Sequence, residues 1–226
     1  MTEAVAQLVR RADMTLDDGD FHYIVLSFIH AWLMRTALPA AQGTLLDYGS
    51  GGQPYRALFE TKVQKYLAAD VRPTPGCVLD ITLAPEGKVP LEDASVDTVL
   101  SSQTLEHVPD PLFYLRECQR LLRSGGALIL TAPMQWRHHE APHDYYRFTK
   151  YGLENLLARA GLRVESVAAA GGAFALMGQI LCSALFDRGV RSRVVFKLIN
   201  RCVLWLDRRY PDGEDTINWM VIARKP

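Results

Sequence analysis

A stretch of twelve residues, HHEAPHDYYRFT (His138–Thr149), concentrates side chains that can move protons or bind cations. It holds three histidines, two acidic residues, two tyrosines and one arginine. Because histidine titrates nearest neutral pH, such a loop suits general-base catalysis. A metal site would use its histidines and Glu140, but their spacing matches no recognised ligand pattern, so we predict no metal. The third alternative is a polar loop held together by its own hydrogen bonds.

Residue type suggests individual roles within this loop. His143 is the preferred general base, with Asp144 orienting it, and His139 is the second choice. The side chains expected to line an acceptor pocket, or in the case of arginine to bind an acidic group, are Tyr145, Tyr146 and Arg147. The structural alternative is that Asp144 and Arg147 pair only to hold the loop in place.

Three aspartates each close a short apolar segment of the chain. Asp47 follows a run of leucines, Asp70 ends KYLAAD, and Asp80 ends CVLD. If these segments are parallel strands, the three carboxylates lie at the edge where such sheets bind ligands. The glycine-rich sequence GSGG (residues 49–52) follows Asp47, and glycines let a backbone approach a ligand closely.

The nature of the ligand depends on charge and on one missing glycine. A dinucleotide fingerprint needs a third glycine where this chain has Pro54, and Asp47 would repel a pyrophosphate. A ligand with an ammonium and a sulfonium would instead favour a carboxylate there. Asp70 can accept ribose hydroxyls, and Asp80 can accept from an exocyclic amine. Together they predict S-adenosylmethionine (SAM).

Strand and helix patterns alternate along the middle of the chain. Predicted strands cover residues 45–47, 65–70, 77–80, 96–102 and 127–133, and TINWMVIARKP reads as a final strand. One predicted helix begins at the cap Asp110 and ends at Gly125-Gly126, and another begins at the cap Thr149 and ends at Gly161. Such alternation predicts a mostly parallel sheet. Residues 1–40 are predicted to form N-terminal helices.

Several segments in order, from LLDYGSGG and AAD to VPLEDASVDTVLSSQTLEHVPDP and LLRSGGALILTAP, resemble the motifs of class I SAM-dependent methyltransferases. The nearest group is the type 11 family, and the resemblance covers residues 44–167. It implies a single α/β domain over residues 1–226. That domain is a Rossmann-like seven-stranded, mostly parallel sheet with an antiparallel last strand and helices on both faces.

The resemblance also assigns residues to parts of the cofactor. The methionine tail would contact Asp47, Gly49, Ser50 and Gly51. The ribose would contact Asp70 and Val71, and the adenine Asp80 and Ile81. Ser102 and Gln103 would lie near the sulfonium.

The segment SSQTLEHVPDP also resembles one that can hold a divalent cation in ubiquinone-biosynthesis O-methyltransferases. Here Gln103 replaces an acidic residue, and hard cations prefer carboxylates, so this comparison also favours no metal. Glu106 and His107 are expected to begin a loop over SAM, with His107 near the acceptor. The segment HEAPHDYYRFTKYGLENLLARAG is similar to methyltransferases encoded with bacterial cell-surface polysaccharide genes, which implies a sugar or lipid-linked sugar acceptor.

Composition limits which partners and which cellular location are expected for the protein. The chain has 226 residues, 49% of them hydrophobic, and a formal net charge of zero, so no basic excess indicates nucleic-acid binding. Its four cysteines are far apart, which predicts neither a disulfide framework nor a zinc ribbon and favours a cytoplasmic location. The N-terminus lacks a signal-peptide core, and the apolar stretch 21–34 is shorter than a membrane span requires.

Residues 171–210 form an unusual insert before the last strand. Residues 174–186 are nearly all apolar, and residues 191–209 mix apolar with basic side chains. Two alternatives stay open. The insert lies on an anionic membrane as a basic amphipathic helix beside an apolar one, or it is an intramolecular hairpin that covers the site or forms a homodimer. The second is preferred because the segment must bury its apolar side chains somewhere.

The sequence therefore predicts a SAM-dependent methyltransferase that acts on a hydroxyl of a small or lipid-linked acceptor. O-methylation is favoured over N- or C-methylation. The alternatives are a nicotinamide-dependent oxidoreductase, against which the missing glycine argues, and a SAM-binding protein without turnover.

Overall fold

The computed structural model describes residues 16–84 and 87–226 of the chain. Seven strands lie within these residues: β1 (Thr44–Tyr48), β2 (Lys65–Asp70), β3 (Ile81–Thr82), β4 (Val96–Ser102), β5 (Leu122–Pro133), β6 (Arg163–Ala169) and β7 (Asn218–Arg224). The helices are α1 (Tyr23–Trp32), α2 (Leu38–Ala40), α3 (Arg56–Phe59), α4 (Pro111–Leu121), α5 (Lys150–Arg159), α6 (Ala173–Asp187) and α7 (Arg193–Arg209). A π turn (Leu33–Ala37) joins α1 to α2, and a 3-10 turn (Leu105–His107) follows β4.

The seven strands form one sheet in the order β3-β2-β1-β4-β5-β7-β6. Strands β1 to β5 pair in parallel, whereas β7 is antiparallel to both β5 and β6. The predicted Rossmann-like sheet with an antiparallel last strand is therefore confirmed. The carboxyl ends of β1, β2 and β4 meet at one edge, where the sequence predicts the ligand.

Both faces of the sheet are covered, because successive residues of a central strand point to opposite sides. In β5, Leu128 and Leu130 belong to the core cluster that includes Leu115 of α4. Ile129, between them, packs in the cluster that includes Ile24 of α1. The predicted helices on both faces are thus present.

The N-terminal helix continues from α1 through the π turn to Ala40, as predicted for the end of this segment. Its 18 residues are long and apolar enough to cross a membrane by length and composition alone, and a core helix passes the same test. Ile24, Ile29 and Leu33 are buried against the sheet, so this helix is part of the core. The predicted helix within residues 1–15 lies outside the described residues.

Two helix starts were predicted correctly from their capping residues. The side chain of Asp110 accepts a hydrogen bond from the backbone N–H of Phe113, and that of Thr149 accepts one from Gly152. These bonds satisfy N–H groups that have no partner inside the helix. They fix where α4 and α5 leave the carboxyl edge of the sheet.

The predicted end of α4 was wrong. The helix ends at Leu121 and β5 begins at once, so Gly125 and Gly126 lie inside a long strand. Gly125 has a φ of 76°, and a Cβ on Gly126 would approach the carbonyl oxygen of Arg123 to 2.8 Å. The glycine pair therefore permits a tight irregular passage into the sheet and does not stop a helix.

The third strand was also misplaced by a few residues. Asp80 donates its backbone N–H to the carbonyl of Ala68, and its side chain accepts from the N–H of the same residue at 2.8 Å. Regular pairing starts only afterwards, where Ile81 lies opposite Ala69. Asp80 therefore precedes β3 and does not end it.

The insert forms a helical hairpin of α6 and α7, an arrangement that both alternatives for it allow. The N-terminus of α6 is capped by α7, because Asp207 Oδ1 accepts hydrogen bonds from Gly172 N and Ala175 N at 3.0 Å each. Asn200 is fully buried and donates to the carbonyl oxygens of Asp18 and Asp20. The polar face of α7 therefore contacts the N-terminal segment of the chain.

Candidate active site

The glycine turn after β1 is closely packed on one side and open on the other. Gly49 and Gly51 have φ values of 82° and 50°, which favour glycine. A Cβ on Gly49 would lie 2.2 Å from the side chain of Thr104, so no other residue fits without displacing it. At Gly51, an added Cβ would meet nothing within 4 Å. The open side is where a ligand can approach the backbone.

Asp70 joins this turn to the end of β2. Its Oδ2 accepts a hydrogen bond from Gly51 N at 2.8 Å, and its Oδ1 accepts one from Val71 N at 2.7 Å. Each oxygen of a carboxylate has more than one acceptor position, so both can still accept from a ligand. These backbone donors fix the orientation of the Asp70 carboxylate, as expected for a residue that binds a vicinal diol.

Asp47 lies buried beneath the turn. The hydroxyl of Tyr66 donates to its Oδ2 in a short hydrogen bond. Burial raises the pKa of Asp47 to about 7, and the bond from Tyr66 acts in the opposite direction. The hydroxyl of Ser50 is buried nearby with no hydrogen-bond partner in the described chain. A cationic ligand group at this place would favour the ionised form of Asp47.

The other predicted cofactor residues lie along the same edge. Asp80 is exposed and Ile81 pairs beside β2, which places both next to Asp70. At the end of β4, Ser102 Oγ is 2.9 Å from Thr131 Oγ1, and the side-chain amide of Gln103 donates to that same hydroxyl at 2.9 Å. The structure therefore brings the predicted cofactor residues to one edge of the sheet.

The loop after β5 is held by an arginine–aspartate pair. Arg147 Nη1 and Nη2 bind Asp144 Oδ1 and Oδ2 at 2.6 and 2.9 Å, which holds the pKa of Asp144 well below its usual range. The remaining donors of Arg147 go to the carbonyls of Trp136, Arg137 and Tyr146. All five N–H donors are therefore occupied, which argues against the predicted binding of an acidic group by Arg147.

The same pairing changes the role expected for Asp144. It does not orient His143, since its carboxylate also accepts from the backbone N–H of His139 at 3.1 Å. The ring of His143 instead lies 3.1 Å from the hydroxyl of Tyr145. His143 and Tyr145 are both exposed, so each is accessible to an acceptor. Tyr146 is partly tied down by donating to the carbonyl of Pro109.

Two histidines and a glutamate meet where this loop contacts the 3-10 turn. His107 and His139 lie with ring centroids 4.6 Å apart and nearly perpendicular planes. Glu106 is fully buried beside them, and burial raises its pKa to about 8. Its backbone carbonyl accepts from Tyr145 N at 2.9 Å, which joins the turn to the loop. His107 thus lies against the loop that follows β5.

Some residues of the site carried no clear signal in the sequence. Tyr66 bonds to Asp47 from within β2, and Tyr55 is hydrogen-bonded to Ser102. Thr131 joins the ends of β4 and β5. Thr104 fills the space that a side chain at Gly49 would need. Of these residues, only Tyr66 could have been indicated by the sequence. Side chains alternate between the two faces along β2, which puts Tyr66 on the same face of the sheet as Asp47.

Fold and site together resemble those of class I SAM-dependent methyltransferases. Residues 46–130 match the model of the methyltransferase domain family, type 11, which is less than half of the chain. The chain is 40% identical over 55 residues to a protein of Mycobacterium tuberculosis named a probable S-adenosylmethionine-dependent methyltransferase, covering 24% of this chain and 20% of that one. A similarly named protein of Mycolicibacterium smegmatis is 40% identical over 93 residues, 38% of this chain and 36% of its own. These matches thus span well under half of either relative.

Solved structures share the fold at low sequence identity. A SAM-dependent methyltransferase from Archaeoglobus fulgidus superimposes with a TM-score of 0.57 at 18% identity, over 88% of this chain and 94% of that one. A Burkholderia thailandensis 1,6-didemethyltoxoflavin-N1-methyltransferase gives 0.56 at 16% identity, over 89% and 78%. The cyclase SpnF gives 0.59 at 19% identity, over 88% and 81%. Because a cyclase has the same fold, the fold alone does not identify the reaction.

Proposed function

We propose that this protein transfers the methyl group of SAM to a hydroxyl group of a small-molecule or lipid-linked sugar acceptor. One observation carries the proposal. The open glycine turn with Asp47 and Asp70 lies at the same sheet edge as the loop that exposes His143 and Tyr145. A methyl donor and an acceptor held there would be neighbours.

The cofactor would lie across the ends of β1, β2 and β4. Its ammonium would pair with Asp47, its ribose hydroxyls would donate to Asp70, and its adenine amine to Asp80. The hydrogen bonds that Asp70 already accepts from Gly51 and Val71 support this, because they fix the carboxylate before a ligand arrives. The sulfonium would lie near Ser102 and Gln103, beside the acceptor loop.

The reaction is a displacement at the methyl carbon. When bound, SAM would supply an electrophilic methyl group to the lone pair of the acceptor oxygen, and the electrons of the broken C–S bond would stay on sulfur. The hydroxyl proton passes to His143, the exposed imidazole of the loop. His107 and the two tyrosines Tyr145 and Tyr146 would contact the acceptor. The pinning of the loop by Asp144 and Arg147 holds these groups in position.

Labelled methyl transfer tests this proposal directly. The purified chain would be incubated with methyl-labelled SAM and with separate soluble and lipid-linked sugar fractions, and the product identified by mass spectrometry. The expected product is a methyl ether in one of the sugar fractions. If SAM binds but the label is transferred to a nitrogen or carbon atom of the acceptor, O-methylation would be overturned. Binding of a nicotinamide cofactor without SAM would restore the oxidoreductase alternative.

We also propose that the α6–α7 hairpin contacts the inner face of the cytoplasmic membrane. Its outer surface carries apolar side chains at helical spacing, all about half exposed or more: Met177, Ile180 and Leu181 on α6, and Val194, Leu198 and Trp205 on α7. Arg208 and Arg209 follow, and neither forms an ion pair within the described residues. An apolar surface next to basic groups suits an anionic lipid surface.

Fewer basic side chains of α7 are available to lipid than the sequence suggested, because three of them form ion pairs within the chain. Lys197 and Arg201 pair with Asp18 at 3.1 and 3.0 Å, and Arg193 pairs with Asp17. Membrane contact would therefore depend on the apolar side chains as much as on charge. A lipid-linked acceptor would also be presented at that surface.

Vesicle co-sedimentation separates this proposal from a homodimer. Wild type should bind anionic vesicles, less so at high salt, and Trp205→Gln should bind several-fold more weakly. The matched control is Tyr151→Gln, which removes an even more exposed aromatic residue from α5. If the protein bound neither neutral nor anionic vesicles, membrane contact would be rejected. A concentration-dependent dimer that Trp205→Gln dissociates would then assign the surface to a second copy.

A further inference from the structure

Three potential metal ligands from two separate segments converge at the acceptor side of the sheet. Glu106 and His107 come from the 3-10 turn after β4, and His139 comes from the loop after β5. One ligand atom of each lies within 4.8 Å of the other two. Glu106 Oε1 and His107 Nε2 are 3.9 Å apart. Neither ligand set considered from the sequence combined these residues, because only the fold brings them together.

Both imidazole rings are held by their other nitrogen. His107 Nδ1 lies 2.7 Å from the carbonyl oxygen of His143. His139 Nδ1 lies 3.3 Å from the carbonyl oxygen of Arg137 and 3.6 Å from Asp144 Oδ2. These oxygens are acceptors, so they fix the proton on Nδ1 and leave the lone pair of Nε2 exposed. Metal-ligating histidines are oriented by carbonyls and carboxylates in this way.

Glu106 supplies a second, independent observation. Its side chain is fully buried, and neither carboxylate oxygen has a hydrogen-bond partner among residues 16–84 and 87–226. Buried polar groups in native proteins nearly always have partners, and a buried carboxylate without one is costly. A cation bound between Glu106 and the two imidazole rings would satisfy it.

We infer that Glu106, His107 and His139 form a binding site for a divalent transition metal of the zinc class. Imidazole with a carboxylate suits such ions, whereas Mg²⁺ and Ca²⁺ prefer oxygen ligands alone. Zinc–ligand distances of about 2.0–2.1 Å place tetrahedral ligands about 3.3 Å apart, so modest side-chain movements would close the present cluster. Three protein ligands leave a fourth position for water or an acceptor oxygen.

Cobalt is a suitable probe, because tetrahedral Co²⁺ absorbs in the visible range and Zn²⁺ displaces it. The full chain, first stripped with a chelator, should bind one equivalent of Co²⁺ with such bands and lose them on addition of Zn²⁺ but not of Mg²⁺. His139→Ala should weaken Co²⁺ binding by at least about 100-fold, since loss of a supporting residue alone costs 10–100-fold. Absence of the bands, or unchanged affinity in His139→Ala, would overturn the site.

Two neighbouring histidines provide matched controls. His138→Ala removes a fully exposed imidazole next to His139, and His143→Ala keeps the carbonyl that holds His107. Both should bind Co²⁺ as wild type does, and loss of binding in His138→Ala would place the metal elsewhere on the loop.

Thermal unfolding checks that the variants are folded. Zn²⁺ should raise the melting temperature of wild type but not of Glu106→Gln. An equal rise in both proteins would remove Glu106 from the site. These measurements need no acceptor, so a negative result here would leave the proposal of methyl transfer intact.

Discussion

The two halves of the site are built by different means. At the ends of β1 and β2, backbone N–H groups and glycines shape the cofactor side, with Asp70 held by Gly51 and Val71. At the ends of β4 and β5, contacts between side chains hold the loops in place, as the pair of Asp144 and Arg147 does within the loop after β5. A backbone-built site is fixed by the fold, whereas a side-chain-built site can change with its loop. Under the proposed function, we therefore expect the acceptor side, and not the cofactor side, to determine specificity.

The largest expected effect tests whether the acceptor side carries the chemistry. His143→Ala should lower turnover about 10²–10⁴-fold, because general-base assistance is typically worth that much. SAM affinity should stay nearly unchanged, since no cofactor residue contacts this side chain. Turnover with the true acceptor and SAM titration of the same variant provide the measurement, and near-normal turnover would reject His143 as the base.

The next effect tests the cofactor side in isolation. Asp70→Ala removes the acceptor of both ribose hydroxyls, and hydrogen bonds to a charged group contribute about 1.5–3 kcal/mol each. SAM affinity should therefore fall about 100-fold or more, and the rise in melting temperature caused by SAM should largely disappear. Calorimetric titration measures the affinity. If Asp70→Ala bound SAM as tightly as wild type, this edge would not bind the ribose, and the contrast between the two halves would be wrong.

A smaller effect concerns pH and the carboxyl group of Asp47. Its pKa of about 7 in the folded protein lies above its unfolded value, so the contribution of this group to stability is largest at low pH and declines as pH rises toward 7. Binding of the ammonium of SAM requires the ionised form, so SAM affinity should rise about tenfold as pH increases by one unit below that pKa.

Asp47→Asn provides the control for this pH dependence. It should bind SAM more weakly than wild type at pH 8 and show a flatter pH dependence of affinity between pH 6 and 8. Titrations at several pH values in one ionic strength would measure it. A wild-type affinity that does not vary with pH would show that Asp47 does not face the ammonium.

The cofactor side could be predicted from sequence because its determinants are local. The strand, the acid at its end and the glycine turn occupy consecutive positions from Leu45 to Gly51, so their spacing already describes their geometry. The capping residues Asp110 and Thr149 were predictable for the same reason. Asp80 was wrongly predicted to end a strand, because one backbone hydrogen bond and its side chain join it to β2 before regular pairing begins.

The acceptor side could be predicted only as a list of residues. The partner of Asp144 depends on the path of the loop, and both Arg147 and His143 were within reach in sequence. The contact of Glu106 and His107 with His139 depends on β4 and β5 being neighbours in the sheet. The glycine pair at 125–126 was misread because a helix end and a strand irregularity call for the same residue type.

The position of β7 has a consequence for how the chain is synthesised. Because β7 lies between β5 and β6, the strand made earlier, β6, has no place in the sheet until residues 218–224 have emerged from the ribosome. The first turn of α6 likewise waits for Asp207, made more than thirty residues later. The carboxyl-terminal quarter of the protein therefore assembles as one unit, after translation of its last strand.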